Sequence, residues 1–241
     1  KLLPKPAATT GVLCAFESMA DAMRAVARVM AEGHLPSAIE FLDYRCLALI
    51  GEMLPFAMPG ERPSLLIVEL DGPAAPIEAE MAEVVAVMTR EGATRVLRAR
   101  DEAERQQIWQ VRRQVSLRIH DHAALYLSED VVVPLSAIAT LVDALAAHEA
   151  RHGVEIFAFG HAGDGNIHLN ITSQHPDHQE QMDRVAEELL RLVLDLGGTI
   201  SGEHGIGLAK RPFLPLELAP GSIELQRRIK RLFDPNQILN P

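Results

Sequence analysis

Cysteine is scarce in this sequence: only Cys14 and Cys46 occur, and each lies in an apolar stretch. A disulfide framework needs more cysteines than this, so we expect two buried free thiols and a reducing, cytoplasmic setting. Long apolar runs are also missing, since none approaches the roughly 20 residues that cross a membrane as a helix. The sequence therefore argues against a transmembrane segment and leaves peripheral contact with the inner membrane open.

Positive charge is in deficit as well. Lys and Arg number 23 against 33 Asp and Glu, which gives a formal net charge of −10. A protein that follows a nucleic-acid backbone needs a concentrated basic surface, so we expect no nucleic-acid partner. With 241 residues, of which 48% are apolar, the chain can bury one large core or two small ones. These limits indicate a globular protein.

Strand and helix patterns alternate along the first part of the chain. Apolar and β-branched runs typical of strands flank runs in which apolar residues recur with a helical period. Two strand–helix–strand units result, at residues 12–16, 18–31 and 37–42, and at residues 65–70, 77–90 and 95–100. Two such units favour the α+β class, with a ferredoxin-like antiparallel sheet and helices on one face.

A glycine-rich segment at residues 159–170 concentrates polar side chains. Its ends have strand character, and the glycines between them permit a tight reversal, so the pattern predicts a hairpin. His161, His168 and Asn170 then share one face, because side chains two positions apart in a strand point the same way. A second glycine-rich stretch, residues 201–205, adds Glu203 and His204.

Two imidazoles and one carboxylate form a usual ligand set for a divalent metal that keeps positions open for substrate. We therefore expect His161, His168 and Glu203 to bind such an ion, with zinc as the first candidate. The alternative is that both histidines are hydrogen-bonded structural residues. A dinucleotide fingerprint is excluded, since the glycine run leads into a strand rather than a helix.

Three motifs resemble one known family. They are Gly-His-x-Gly-Asp-Gly-Asn-x-His-x-Asn at residues 160–170, Gly-Gly-Thr-Ile-Ser-Gly-Glu-His-Gly-Ile-Gly at 197–207, and Leu-Phe-Asp-Pro-Asn-Gln-Ile-Leu-Asn-Pro at 232–241. In this order they resemble the C-terminal domain of the FAD-linked oxidases, a group that includes the glycolate oxidase D subunit, D-lactate dehydrogenases and D-2-hydroxyglutarate dehydrogenase. The similarity covers essentially all of residues 1–241.

The resemblance implies a substrate-binding and flavin-capping domain of an FAD-dependent 2-hydroxyacid dehydrogenase. Most of the FAD would be held by a separate N-terminal domain, which we expect to be absent from this chain, and an unidentified acceptor would reoxidise the flavin. His204 is the candidate base, because it is an imidazole next to the expected ligand Glu203. By the resemblance Asn240 is the candidate flavin neighbour. Arg112, Ser116 and Asn170 are the candidate substrate-binding residues.

One departure bears on the substrate. Where the 2-hydroxyglutarate enzymes carry a lysine, this chain has Ser128 followed by Glu129. A second substrate carboxylate would lose its cationic partner, so we expect lactate or glycolate rather than a dicarboxylate.

Two other functions use the same residues. A stand-alone zinc hydrolase would employ His161, His168 and Glu203 to hold the ion and His204 to activate water. A non-catalytic binding module would keep the fold without binding metal. A homodimer is compatible with each of these hypotheses.

Overall fold

The computed structural model describes residues 5–240 and contains seven strands and eight α-helices in that range. The first half comprises β1 (Ala8–Phe16), α1 (Met19–Ala31), β2 (Ala38–Leu42), α2 (Tyr44–Leu49), β3 (Ser64–Gly72), α3 (Ala74–Arg90) and β4 (Arg95–Arg98). After α4 (Glu102–His122) come β5 (Leu125–Val132), α5 (Ile138–His152), β6 (Glu155–His161), β7 (Asn166–Ser173), α6 (Gln179–Asp195), α7 (Leu214–Glu217) and α8 (Pro220–Phe233).

All seven strands form one antiparallel sheet in the order β4-β1-β3-β2-β6-β7-β5. The first four strands have the order of a ferredoxin-like unit. The second half repeats this topology, because Thr199 forms a bridge to Val132 on the outer side of β5, where a fourth strand would lie. The α+β class and the antiparallel sheet expected from the sequence are confirmed.

Helices pack on both faces of this sheet. α1, α3, α5 and α6 bury their apolar residues against one face, as expected. α2 and α4 cover part of the other face, which the sequence did not indicate. The cause is visible in β1, where Val12 and Cys14 face one core while Leu13 and Ala15 face the other. A strand that is apolar on both sides requires cover on both sides.

Both cysteines are buried and unpaired, as expected from their apolar surroundings. Burial raises the pKa of the Cys14 thiol to about 12 and raises the pKa of Cys46 well above its ordinary value. Neither sulfur is therefore a nucleophile at neutral pH. Within residues 5–240, no helix combines the length and the apolar character needed to cross a bilayer.

Asp43 links the two halves of the molecule. It follows β2 and caps α2, accepting the Cys46 N–H at 2.9 Å, and it also accepts the Ala158 N–H of β6 at 3.0 Å. Burial raises the pKa of this carboxyl from 3.8 to about 6, even though the two N–H donors act in the opposite direction.

This shift predicts a pH-dependent stability. A raised carboxyl pKa favours folding most below pH 3.8, and that contribution is lost as the pH rises through about 6. The stability advantage of the wild type over Asp43→Asn should therefore shrink by about 2–3 kcal/mol between roughly pH 4 and pH 7. Urea unfolding at both pH values measures this difference. The exposed Asp195→Asn provides the control, and an equal pH dependence in both variants would contradict the assignment.

Candidate active site

Neighbouring strands bring the polar residues of the site into one row. On the sheet face covered by α4, Asp130 of β5 pairs with His168 of β7, and His168 pairs with Phe159 of β6. One step along, His161 of β6 pairs with Glu40 of β2. Residues directly opposite each other in a sheet share a face, so these side chains lie side by side.

The loop that carries Glu203 is held to the sheet by Asp130. One oxygen of this buried carboxylate accepts the backbone N–H groups of Gly202, Glu203 and His204 at 2.8–2.9 Å, and the other accepts the side-chain amide of Asn166 at 2.7 Å. Burial opposes ionisation of Asp130, but these hydrogen bonds outweigh burial and hold its pKa below the usual range.

Gly202 is required at the point of closest approach. A Cβ atom added there would lie 1.7 Å from Asn166 Nδ2 and 2.9 Å from Asp130 Oδ1, so a side chain cannot be accommodated without moving the loop. The glycine in Ser201-Gly202-Glu203 thus allows the backbone to reach the Asp130 carboxylate.

Of the three expected metal ligands, Glu203 lies close to each of the two histidines. Glu203 Oε1 lies 3.7 Å from His161 Nε2 and 3.8 Å from His168 Nε2. Two ligand atoms on a tetrahedral zinc ion are about 3.3 Å apart, given bond lengths near 2.0–2.1 Å. A group whose ligand atoms all lie within 4.8 Å of one another comprises Asp130, His168, Glu203 and His204. His161 is not in that group and is joined to it by its 3.7 Å separation from Glu203. His204 is close by: its ring stacks on His168 with centroids 5.5 Å apart, and its Nε2 is 4.0 Å from Glu203 Oε1.

Glu40 orients the first of these histidines. Its buried carboxylate is hydrogen-bonded to Nδ1 of His161, which leaves Nε2 directed at Glu203. A carboxylate on the second ring nitrogen is the usual support of a metal-binding histidine. Burial lowers the pKa of His168, and the nearby charge of Arg112 lowers it further, so this imidazole is held in the neutral form that binds metals.

Glu40 also fixes Arg112, which α4 presents to the same face. Arg112 Nε donates to Glu40 Oε2 at 2.7 Å, and its guanidinium carbon lies 4.4 Å from the centroid of the Phe159 ring. Within the described part of the chain this is the only hydrogen bond of the Arg112 side chain, so both terminal nitrogens remain available to an anion. A cleft of about 440 Å³ opens beside Glu40, His161 and Glu203.

The sequence was compared with known protein families, and one of them matches nearly the whole chain. The family described as "FAD linked oxidases, C-terminal domain" matches residues 5–241. This chain belongs to that family. The resemblance stated from the three sequence motifs is thereby confirmed.

Curated relatives in the FAD linked oxidases extend beyond this domain. The chain is 33% identical over 243 residues to the glycolate oxidase subunit GlcD of Bacillus subtilis, covering 100% of this chain and 52% of that protein. It is 35% identical over 249 residues to a D-lactate dehydrogenase of Archaeoglobus fulgidus, covering 100% and 52%, respectively. It is 28% identical over 212 residues to the rat mitochondrial D-2-hydroxyglutarate dehydrogenase, covering 87% and 39%. The chain thus spans about half the length of the curated relatives it matches.

Solved structures share the fold at low sequence identity. The 4-ethylphenol oxidase from Gulosibacter chungangensis superposes with a TM-score of 0.72 at 16% identity, over 100% of this chain and 54% of that one. A substrate-bound p-cresol methylhydroxylase gives a TM-score of 0.71 at 17% identity, over 99% and 53%. At such identities the likeness concerns the fold alone.

The remaining residues implied by the family resemblance are dispersed. Asn170 is buried on the site face, and its side-chain oxygen accepts a hydrogen bond from the Tyr126 hydroxyl. Ser116 lies one helical turn beyond Arg112 and is exposed. Asn240 lies in the exposed segment after α8 and, among the described residues, makes no hydrogen bond or ion pair with the histidine cluster.

Ser128 and Glu129, which stand where the 2-hydroxyglutarate enzymes carry a lysine, lie on opposite faces of the sheet. Neighbouring residues of β5 point to opposite faces, so Ser128 and Asp130 face the site while Glu129 points away. The Glu129 carboxylate lies 3.0 Å from the Lys210 ammonium group. Of this pair, only Ser128 lies on the face that carries Asp130 and His168.

Three site residues were not assigned from the sequence: Glu40, Asp130 and Tyr126. A signal for Glu40 was present, since a glutamate between Ile39 and Phe41 in a predicted strand is an isolated charge in an apolar run. No local pattern marked Asp130 or Tyr126, because their roles depend on the pairing of β5 with β7.

We predict that Asp130→Ala releases the Glu203 loop. Three backbone N–H groups and one amide lose a charged acceptor, and hydrogen bonds to charged groups contribute about 1.5–3 kcal/mol each when buried. Amide hydrogen exchange at residues 202–204 should become fast, while the exchange of α1 should stay unchanged. Gly202→Ala should produce the same local change, and continued protection in both variants would contradict the proposed anchoring role.

Proposed function

We propose that this chain is the substrate-binding and flavin-capping domain of an FAD-dependent 2-hydroxyacid dehydrogenase acting on D-lactate or glycolate. The observation that carries the proposal is the convergence of His161, His168 and Glu203 beside Arg112 on one face of the sheet. The match to the FAD linked oxidases and the similarity to glycolate oxidase and D-lactate dehydrogenase support it.

A divalent ion fits the donor set at this site. His161, His168 and Glu203 would hold it, with Glu40 supporting His161 on the far side of its ring. Bound there, the ion would supply a Lewis acid for the 2-hydroxyl and carboxylate oxygens of the substrate. Two neutral imidazoles favour zinc or a similar borderline metal over magnesium or calcium.

Arg112 is suited to bind the substrate carboxylate. Its Nε is already engaged by Glu40, so the guanidinium is oriented before substrate arrives, and its terminal nitrogens can form a bidentate pair with a carboxylate. The Phe159 ring beneath it fixes the plane of the group. The exposed Arg113, next along α4, has no comparable support from the sheet.

His204 is placed to remove the hydroxyl proton. Its imidazole lies against His168 and beside Glu203, and it is largely exposed, so it can reach a substrate bound over the cluster and later release the proton to solvent. When bound, the flavin would accept the C2 hydrogen as hydride. The protein's own task at this step is to hold the hydroxyl oxygen, the carboxylate and the base in one geometry.

An FAD-binding domain is proposed to cover α8. Leu225, Ile229, Leu232 and Phe233 recur at helical spacing and are each about half to three quarters exposed. Ile238 and Leu239, beside Asn240, extend this surface. The curated relatives are about twice as long as this chain, which supports a second domain as the occupant. Asn240 is the residue proposed to contact the flavin.

The substrate is proposed to be a monocarboxylate. Ser128 faces the site and pairs with Asn170 across the sheet, so a neutral hydroxyl stands where a second substrate carboxylate would need a cation. The electron acceptor is proposed to be a separate redox partner of the flavin domain.

We predict different effects for Arg112→Ala and Arg113→Ala, because only Arg112 is proposed to bind the substrate carboxylate. In the flavoprotein that carries this domain, loss of Arg112 removes a charge-assisted contact, so KM for D-lactate or glycolate should rise by the equivalent of about 1.5–3 kcal/mol. The matched Arg113→Ala should leave KM unchanged. Steady-state kinetics with an artificial acceptor measure both, and equal KM values for the two variants would argue against the proposed role of Arg112.

His204→Ala should mainly lower kcat, by about a hundredfold, since general-base catalysis contributes on this scale. The loss should shrink at high pH, where the substrate hydroxyl ionises with less help. His120→Ala, an exposed histidine on α4, is the control and should keep the wild-type pH profile. Unchanged kcat in His204→Ala would place the base elsewhere.

A further inference from the structure

A second group of metal-ligating side chains lies on the opposite side of the sheet. α5 and α6 pack against the face away from α4, and His148 and His152 project from α5 toward Glu188 of α6. Glu188 Oε2 lies 3.0 Å from His148 Nδ1 and 3.1 Å from His152 Nε2. The sheet separates this cluster from His161, His168 and Glu203.

We propose that His148, His152 and Glu188 form a second divalent-metal site, which clamps α5 to α6. Two histidines four positions apart lie on one face of a helix, where both rings can bind a single ion. Their ligand atoms and that of Glu188 all lie within 4.8 Å of one another. The two N–O separations approach the spacing of about 3.3 Å between ligands of a tetrahedral zinc ion.

The surroundings hold the ligands in place and leave room for the ion's remaining position. Both imidazole side chains are 14% exposed, so packing restricts their orientation, whereas Glu188 is 36% exposed and leaves one side open to water. Two nitrogen ligands with one carboxylate select zinc, nickel or copper rather than magnesium or calcium. The cation class is therefore a borderline transition metal, with zinc as the probe.

Arg151 is the group that such an ion would displace. Its Nη1 lies 3.2 Å from Glu188 Oε2, so its charge opposes a metal at the same oxygen. Its side chain is 62% exposed and can turn into solvent. Removing this charge should strengthen metal binding at the proposed site. If zinc bound adventitiously through a single histidine, removing Arg151 would change its affinity little.

The test isolates this cluster from the proposed active-site metal. Zinc titration calorimetry on the whole chain should give two ions for the wild type, and one each for His161→Ala/His168→Ala and His148→Ala/His152→Ala. In the His161→Ala/His168→Ala background, Glu188→Gln should weaken the remaining site at least about tenfold, since even supporting residues of metal sites contribute this much. Arg151→Ala should tighten it, while the matched Arg184→Ala should not.

A second measurement covers variants that fold poorly. Zinc should raise the thermal midpoint of the His161→Ala/His168→Ala protein, and Glu188→Gln, which keeps the side-chain volume, should abolish the rise. The proposal is overturned if that protein binds zinc no more tightly than one lacking all four histidines. It is equally overturned if Arg151→Ala leaves affinity unchanged. If the wild type binds one ion and the His161→Ala/His168→Ala protein still binds it, the active-site metal is rejected. The site formed by His148, His152 and Glu188 is then supported.

Discussion

The short ladder between β2 and β6 is the contact on which the rest of the molecule depends. It joins the two similar halves of the sheet through three residue pairs, and Asp43 extends it by accepting the Ala158 N–H. The same pairing sets Glu40 opposite His161. A slip of one residue would turn Glu40 to the other face and remove the support of both His161 and Arg112. The same β2–β6 register is thus required both for the fold and for the candidate site.

Two buried carboxylates hold different parts of the candidate site in place. Glu40 orients a histidine and an arginine from different elements, while Asp130 binds the backbone of the Glu203 loop. Each is fully engaged by donors, which is the condition under which a buried charge is tolerated. His161, Arg112 and the Glu203 loop are thus positioned by contacts within the protein itself.

The sequence predicted the elements and the convergence of the glycine-rich motifs, because both follow from short-range patterns. Alternation placed His168 and Asn170 on one face. The roles of Glu40 and Asp130 were not predictable in the same way, since each depends on which strands become neighbours. The direction of Glu129 likewise follows from the β5–β7 register rather than from its neighbours in sequence. The sequence predicts the long helix at residues 101–122 but not that α4 packs on the second face of the sheet.

The repeated topology has a consequence for how the chain can be divided. Separated halves would each expose β2 or β6 as an open edge, and an exposed edge strand recruits other chains into aggregates. The natural outer edge at β4 is protected differently: it is four residues long and carries Arg95 and Arg98. Cutting the chain near α4 should therefore yield two fragments that precipitate alone and recover solubility when mixed. Each half therefore needs the other to cover its edge strand, β2 or β6, which would otherwise promote aggregation in solvent.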